Sequence, residues 1–547
     1  MVILPQEADF VVIGAGSAGC IVASRLAENG HSVLLLEAGE AAEAHPETLR
    51  ADGFKDAFAN DATMWQRMSA KMPGMGRKYL GTGRGMGGSG SVNGMVYTRG
   101  DARDYANWGA GWQWADCLPA FEAVEARLQP RPRFATLFVE RFIKACVGAG
   151  MQAENGLNSG DLSAKVGAND MNYAGDKRRS SYRAFIKEPL ADKGSPLRQH
   201  LRIVLGAQVE GIVFEGQSAK SVRYTHQGQT HEVQVGKEVI LTAGALETPR
   251  LLLLSGVGEA AHLRSLGLPV VLDSAGVGQN LQDHPNVCLF YRSKTAPDFA
   301  FPQVYAFDTA TGEAGAPQMC WVGFAAHATL RHAMHRMLPI LALPEFLLRQ
   351  KWLRWALRRC IDGAMFLRPV DAFVEKLFGI VVILGKPTSR GSVRLASKNP
   401  QDAALIDPAW YQSPHDQQLM EQGIERAQQI AAQPSLVEAG LKPLSAGAKP
   451  GISQAKLWKW LRKASMTTYH FAGSCRMGAD AASPVSPADL RVKGLANVRV
   501  MDASLMPEIP VAALNAPSMM LAWRGADMVL AEYGVRDFPL PEGEGQG

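Results

Sequence analysis

Three things are scarce in this 547-residue sequence. There is no CxxC pair: seven cysteines stand singly at 20, 117, 146, 288, 320, 360 and 475. Such spacing excludes a zinc knuckle and a close-set disulfide framework, predicts no metal site, and fits a reducing, cytoplasmic setting. There is no uninterrupted apolar run of the roughly 18 residues that a membrane-crossing helix needs. The first apolar run, Phe10-Val11-Val12-Ile13, leads into a glycine turn and not into a signal-peptide cleavage site. Charge imbalance is small: 57 basic against 52 acidic residues leave +5, too little to argue for nucleic acid. Glycine, by contrast, is abundant at 55 residues, as backbone passing close to a ligand requires. The length exceeds what one hydrophobic core sustains, so two or more packed domains are expected.

The N-terminus reads as a parallel βαβ unit: a strand over 9–13, a turn, a helix over 18–28 and a second strand over 32–36 that ends at Glu37. The turn is Gly14-x-Gly16-x-x-Gly19. Its glycines serve a tight turn, close approach of a pyrophosphate, and close helix–strand packing, while the helix N-terminus supplies N–H groups for phosphate. Glu37 falls where a carboxylate accepts hydrogen bonds from ribose hydroxyls, which favours FAD or NAD over a 2′-phosphorylated cofactor. A glycine motif alone is weak; strand, helix, second strand and terminal acid together are specific. Further along, 73–100 reads as a long glycine-dense loop, with strands at 202–205, 209–214, 220–225 and 238–242 and helices at 247–255, 414–433, 453–464 and 516–533.

The choice of cofactor rests on other segments. Gly83-Arg84-Gly85-Met86-Gly87-Gly88-Ser89-Gly90-Ser91-Val92-Asn93-Gly94-Met95 resembles the first signature of the glucose–methanol–choline oxidoreductases, and Gly244-Ala245-Leu246-Glu247-Thr248-Pro249-Arg250, running on to Ser255-Gly256-Val257-Gly258, resembles the second. Gly276-Val277-Gly278-Gln279-Asn280-Leu281-Gln282-Asp283-His284, Ser389-Arg390-Gly391-Ser392-Val393, Tyr469-His470, Cys475-Arg476-Met477-Gly478 and Met501-Asp502-Ala503-Ser504-Leu505-Met506-Pro507 follow in the family's order. The resemblance spans about residues 8 to 533.

It implies an α/β fold: a Rossmann-like FAD-binding domain, discontinuous in sequence over 1–155, 196–290 and 461–547, with an α+β substrate domain on an antiparallel sheet over 156–195 and 291–460. The cofactor contacts it implies are Gly14, Gly16, Ser17, Ala18, Gly19, Glu37 and Ala38 in the first unit. Arg84, Gly87, Gly88, Ser89, Asn93, Gly94, Met95 and Val96 follow in the glycine-rich loop. Val209 is expected to meet adenine through its backbone, and Ala243, Asp502, Ala503, Asn515, Ala516 and Pro517 complete the set. Asn93 reads either as a flavin contact or as a side chain that stabilises its own loop. Some members bond the flavin through a His before this Asn; Val92 stands here, so FAD is expected to be non-covalent.

His470 falls where the family places its active-site histidine, and Asn515 where it places the polar partner. Alcohol oxidation needs a base for the hydroxyl proton, which suits His, and a group that holds the oxygen, which suits Asn. Away from these motifs a lone histidine is a surface or packing residue, the reading kept for His226, His231 and His262; His284 is read as structural or flavin-adjacent.

Residues 325–362 match no family signature. Apolar residues, Trp352 and Trp355 among them, alternate with Arg331, His332, His335, Arg336, Arg349, Lys351, Arg354, Arg358 and Arg359, and Pro339 and Pro344 are expected to split any helix in two. Three roles stay open: contact with an anionic membrane surface, peripheral to its inner face; a substrate lid; or a subunit contact. The expected function is FAD-dependent hydride abstraction from an apolar primary alcohol, giving an aldehyde, with oxygen or a quinone-like carrier accepting the electrons. The competing chemistries on this fold are flavin-dependent lyases and fatty-acid photodecarboxylases, and the remaining alternative is a non-catalytic FAD-binding or lipid-contact protein.

Overall fold

A computed structural model describes residues 4–343, 347 and 350–534. Five parallel strands form its first layer in the order Leu201–Leu205, Val33–Glu37, Glu7–Ile13, Gln229–Leu241 and Val498–Val500. Val33–Glu37 is buried at every residue, the pattern of a strand covered on both faces. On one face lie the helix Ser17–Glu28 and the C-terminal helix Asn515–Tyr533, joined by the Arg25–Asp527 ion pair at 2.6 Å and by an Arg25 bond to the Trp523 carbonyl. The sheet therefore brings the first and last segments of the chain together at the carboxyl ends of its strands, where such folds bind ligands.

The strand expected over 238–242 begins at Gln229. Its first half pairs antiparallel with Ser218–His226, which pairs with Gln208–Glu215. Most of residues 229–237 are at least partly exposed because this three-stranded flap overhangs the parallel layer, so no continuous apolar run marks the strand's start.

A second, mostly antiparallel sheet runs Lys442–Pro443, Pro285–Arg292, Leu377–Leu384, Met319–Ala325, Val304–Asp308, Lys165–Ala168 and Gln152–Glu154, only the last pair being parallel. Helix Pro414–Ala431 closes one face; the fully buried Trp321 donates its indole N–H to the Gly423 carbonyl of that helix at 2.9 Å. The architecture is the expected one: a Rossmann-like layer beside an α+β unit on an antiparallel sheet.

The described residues between 330 and 374 include the helices Leu330–Ala342, Lys351–Met365 and Arg368–Val374. Pro339 lies inside the first helix and does not break it, contrary to expectation. A proline leaves the carbonyl four residues back without its N–H donor, and here that carbonyl, of His335, accepts from Arg358 Nε on the neighbouring helix at 3.3 Å. Pro344, Phe346, Leu348 and Arg349 lie outside the described residues. No helix among the described residues is long and apolar enough to cross a membrane.

Candidate active site

A cavity of about 590 Å³ runs between the two sheets. At one end it is lined by Gly14, Gly16, Ser17, Ala18, Glu37 and Ala38, with Val209 and Ala243 beside them. Gly88, Ser89, Asn93, Gly94 and Val96 line its middle, and Asp502, Ala503, His470 and Asn515 also reach it. Gly19, Arg84, Gly87, Met95, Ala516 and Pro517 do not line it. Gly19 packs the turn: a Cβ there would stand 1.9 Å from the Gly14 carbonyl oxygen. Gly87, at φ +84°, donates its N–H to the Ala15 carbonyl at 2.8 Å, and Arg84 donates to the Ala38 carbonyl at 3.1 Å. Met95 is buried behind the loop, and Ala516 and Pro517 are buried in the first turn of the C-terminal helix.

This end fits a dinucleotide. Gly16 caps the first helix without a side-chain bond, so first-turn amides remain for phosphate oxygens. Gly88 sits at φ +51°, and a Cβ there would come within 2.8 Å of the Gly16 Cα. Two glycine loops thus face each other with backbone alone between them, a cradle for a flat, phosphate-bearing group. Glu37 is buried and accepts from the amides of Ala15, Gly39 and Gly85 at 2.9, 2.8 and 3.0 Å. Burial raises its pKa against those amides. Arg178, buried and lowered to about 9 by desolvation, pins the middle loop by donating to the Gly90 and Asn93 carbonyls and to Asn93 Oδ1. Asn93 Oδ1 also accepts from the Met95 amide at 3.0 Å, so that oxygen stabilises the loop. Asp502 ties the C-terminal segment to the middle of the chain by accepting from the Gly244 amide at 2.8 Å and the Thr248 hydroxyl at 2.6 Å.

His470 reaches the cavity from a ladder in which Gln282 and Ala472 exchange backbone bonds and the His470 amide donates to Asp283 Oδ1 at 3.1 Å. Tyr469 just before it has φ +63°, a left-handed turn that costs a bulky residue about 1–2 kcal/mol. The rings of Phe58 and Tyr79, 5.7 and 6.4 Å from that of Tyr469, hold it there. His470 Nδ1 lies 3.0 Å from His284 Nδ1. Burial pushes His470 down to about 4. Burial first, and His470 second, hold His284 well below the usual range. Both rings are therefore neutral near pH 7, and a single N–H joins them, one donating and the other accepting. Burial pushes Asp283 up to about 7, against hydrogen bonds from Thr467 and the His470 amide. Asn515 Oδ1 accepts from the Ser17 hydroxyl at 2.7 Å, which leaves its amide N–H₂ as the group free to donate.

Beyond His470 the lining turns apolar and aromatic: Phe58, Tyr305, Phe324, Met337, Met466 and Tyr469. Sequence reading did not single out Phe58, Tyr305 or Phe324, because none stands in a motif, and it placed Met337 in an unassigned segment. Two polar residues at this end are engaged: His332 pairs with Asp56 at 3.0 Å, and Asn286 donates to the Thr468 hydroxyl at 2.9 Å. The carboxylates that line the cavity are Glu37, Glu247 and Asp502. Glu247 is paired with Arg67 and Arg250, and the other two are held by backbone amides. Among the described residues no cluster of His, Cys, Asp and Glu could hold a metal ion.

Residues 8–286 match the GMC oxidoreductase N-terminal family profile, and residues 387–522 match its C-terminal one. Mitochondrial choline dehydrogenase of Mus musculus is 31% identical, over 98% of this chain and 91% of its own length. Alcohol dehydrogenase [acceptor] of Pseudomonas putida is 31% identical, over 96% of each. Pyridoxine 4-oxidase from Mesorbium loti superposes with a TM-score of 0.80 at 25% identity, over 95% of this chain and 99% of the other. Motifs, cradle and relatives agree: this chain belongs to the GMC oxidoreductases and is an FAD-dependent enzyme acting on alcohols.

Proposed function

We propose that the enzyme oxidises a neutral, apolar primary alcohol to an aldehyde, with His470 and Asn515 as the catalytic pair. The observation that carries this is the lining around His470, where aromatic and thioether side chains dominate and no unpaired carboxylate faces the cavity. A quaternary ammonium substrate wants a counter-charge or an aromatic cage without a competing cation, and Lys55 lines this cavity. Choline, the substrate in the name of several relatives, is therefore disfavoured here.

Bound in the cradle without a covalent link, FAD supplies the two-electron acceptor for the substrate's hydride. His470 donates Nδ1–H to His284, which leaves its Nε2 lone pair to take the hydroxyl proton. His284 acts as a positioning residue: it fixes the tautomer and the ring plane. The Asn515 amide donates to the substrate oxygen while Ser17 holds its carbonyl, so the donor keeps one orientation. The apolar walls exclude water from the reacting carbon. A carrier other than oxygen is supported by the relative named alcohol dehydrogenase [acceptor], and oxygen by relatives named oxygen-dependent choline dehydrogenases; the quinone-like carrier is the first acceptor to try.

The test is a panel of primary alcohols mixed anaerobically with the holoenzyme while flavin absorbance is followed. Bleaching by 1-octanol or benzyl alcohol with kcat/KM at least about tenfold above choline is expected, since a few buried methylenes supply that much. Preference for choline would remove the apolar reading. Fast recolouring on admission of air, and not on addition of a quinone analogue, would make the enzyme an oxidase.

A further inference from the structure

The helix Lys351–Met365 and the turn after it carry Trp352, Trp355, Phe366 and Leu367 at 67, 60, 78 and 58% exposure. Elsewhere, Phe134 and Leu137 are exposed as a pair near the start of one helix, and Val147, Leu405, Val437 and Leu444 as scattered single residues, which folded proteins tolerate. Here four large apolar side chains share one short stretch, interleaved with guanidiniums. Arg359 is 66% exposed and lies over the Trp355 ring at 5.7 Å; Arg331 is 42% exposed and lies over the Phe366 ring at 5.9 Å. The acid of this helix, Asp362, is shared among Arg331 at 2.7 Å, His335 at 2.9 Å and Arg359 at 3.6 Å, so the group keeps a net positive charge. The inner side of the same helix is anchored. Asp61 binds Arg336 of the neighbouring helix at 2.7 Å, and Arg354 and Arg358 at 3.2 and 2.9 Å. Burial opposes that charge, yet the three guanidiniums hold the Asp61 carboxyl below its ordinary range.

We propose that this face docks on an anionic lipid bilayer and sets the cavity mouth against it. Tryptophan and phenylalanine favour the headgroup boundary, and flanking arginines pair with anionic lipid phosphates. The position fits, because the helix Leu330–Ala342, which packs against the exposed one, lines the cavity with Ala333 and Met337. A second copy of this chain is a poor occupant. A two-fold contact would set this net-positive patch against itself, with Asp362 already shared among its own cations. The inference deepens the apolar-alcohol reading by naming the phase such a substrate arrives from, and it rests on that reading for the substrate alone.

The FAD-loaded enzyme is sedimented with vesicles of phosphatidylcholine alone and of phosphatidylcholine mixed with phosphatidylglycerol. Binding to the anionic vesicles is expected, weakening as salt rises. It is expected to fall on the order of tenfold in W352A/W355A, and also in R359E. The double variant keeps wild-type flavin reduction by soluble 1-butanol, since neither tryptophan lines the cavity. Absence of vesicle binding, or binding indifferent to both variants, overturns the proposal. So does a wild-type dimer in analytical ultracentrifugation that W352A/W355A turns into a monomer, because the face is then a contact between copies. An enzyme that docks but reduces no alcohol supports the surface and removes the substrate reading.

Discussion

The cofactor cradle and the cavity mouth are built on opposite logics. In the cradle, backbone meets backbone: Gly14, Gly19 and Gly88 stand where any Cβ would strike a main-chain atom within 3 Å, and Glu37 is held by three amides. At the mouth, side chains meet side chains. Helices are latched by Asp61 and Asp56 to Arg336, Arg354, Arg358 and His332, and the lining comes from Phe58, Phe324 and Met337. A cradle of that kind accepts almost no substitution. A mouth of this kind can be rebuilt for a new substrate without disturbing the cofactor.

The contrast breaks most sharply at Gly19. Gly19→Val is expected to abolish flavin retention, read as the ratio of flavin to protein absorbance, because a Cβ 1.9 Å from the Gly14 oxygen cannot be housed without moving the turn. A yellow Gly19→Val protein would show the cradle to be as forgiving as the mouth. Met337→Trp probes the other side. It is expected to leave the flavin spectrum intact while raising KM for 1-octanol by about tenfold or more, because the added volume fills the lining.

Protonation sharpens the comparison at the point where the regions join. His470 is neutral above about 4, so the rate of flavin reduction is expected to fall as pH drops through that value and the base becomes occupied. Asp283 loses its proton as pH rises through about 7, and the new negative charge beside His470 strengthens the base. A second, several-fold rise is therefore expected near pH 7, and Asp283→Asn should remove it while leaving the limb near 4. A single inflection in both proteins would mean that Asp283 does not reach the reaction. The smallest effect is expected at the latch. Asp61→Asn leaves Arg336, which is 2% exposed, with one fewer charged partner. A loss of about 1–3 kcal/mol is expected in thermal or denaturant unfolding, with flavin content unchanged.

Legibility followed the same divide. Strand, turn, helix and terminal acid at 9–37 were readable because close backbone approach admits only glycine at 14 and 19, and because residues near in sequence build the unit. The two-fold alternation of a half-exposed flap hid the start of the strand at Gln229, and two-sided covering left the strand Leu377–Leu384 without an alternating pattern. The pairing of Asp283 and His284 with His470 joins residues 186 or more positions apart. No spacing rule reports it, although both partners stood in recognised motifs. The continuous helix through Pro339 was unreadable for a similar reason, since the donor that rescues the freed carbonyl is Arg358 on the next helix.

The most direct test of the account is His470→Ala, assayed for FAD content and for anaerobic flavin reduction by an apolar primary alcohol. The protein is expected to stay yellow, because His470 lies outside the dinucleotide cradle, and reduction is expected to slow by about 10²–10⁴-fold, the span general-base removal commands. Wild-type reduction rates in His470→Ala would contradict the assigned base and with it the reading of the cavity.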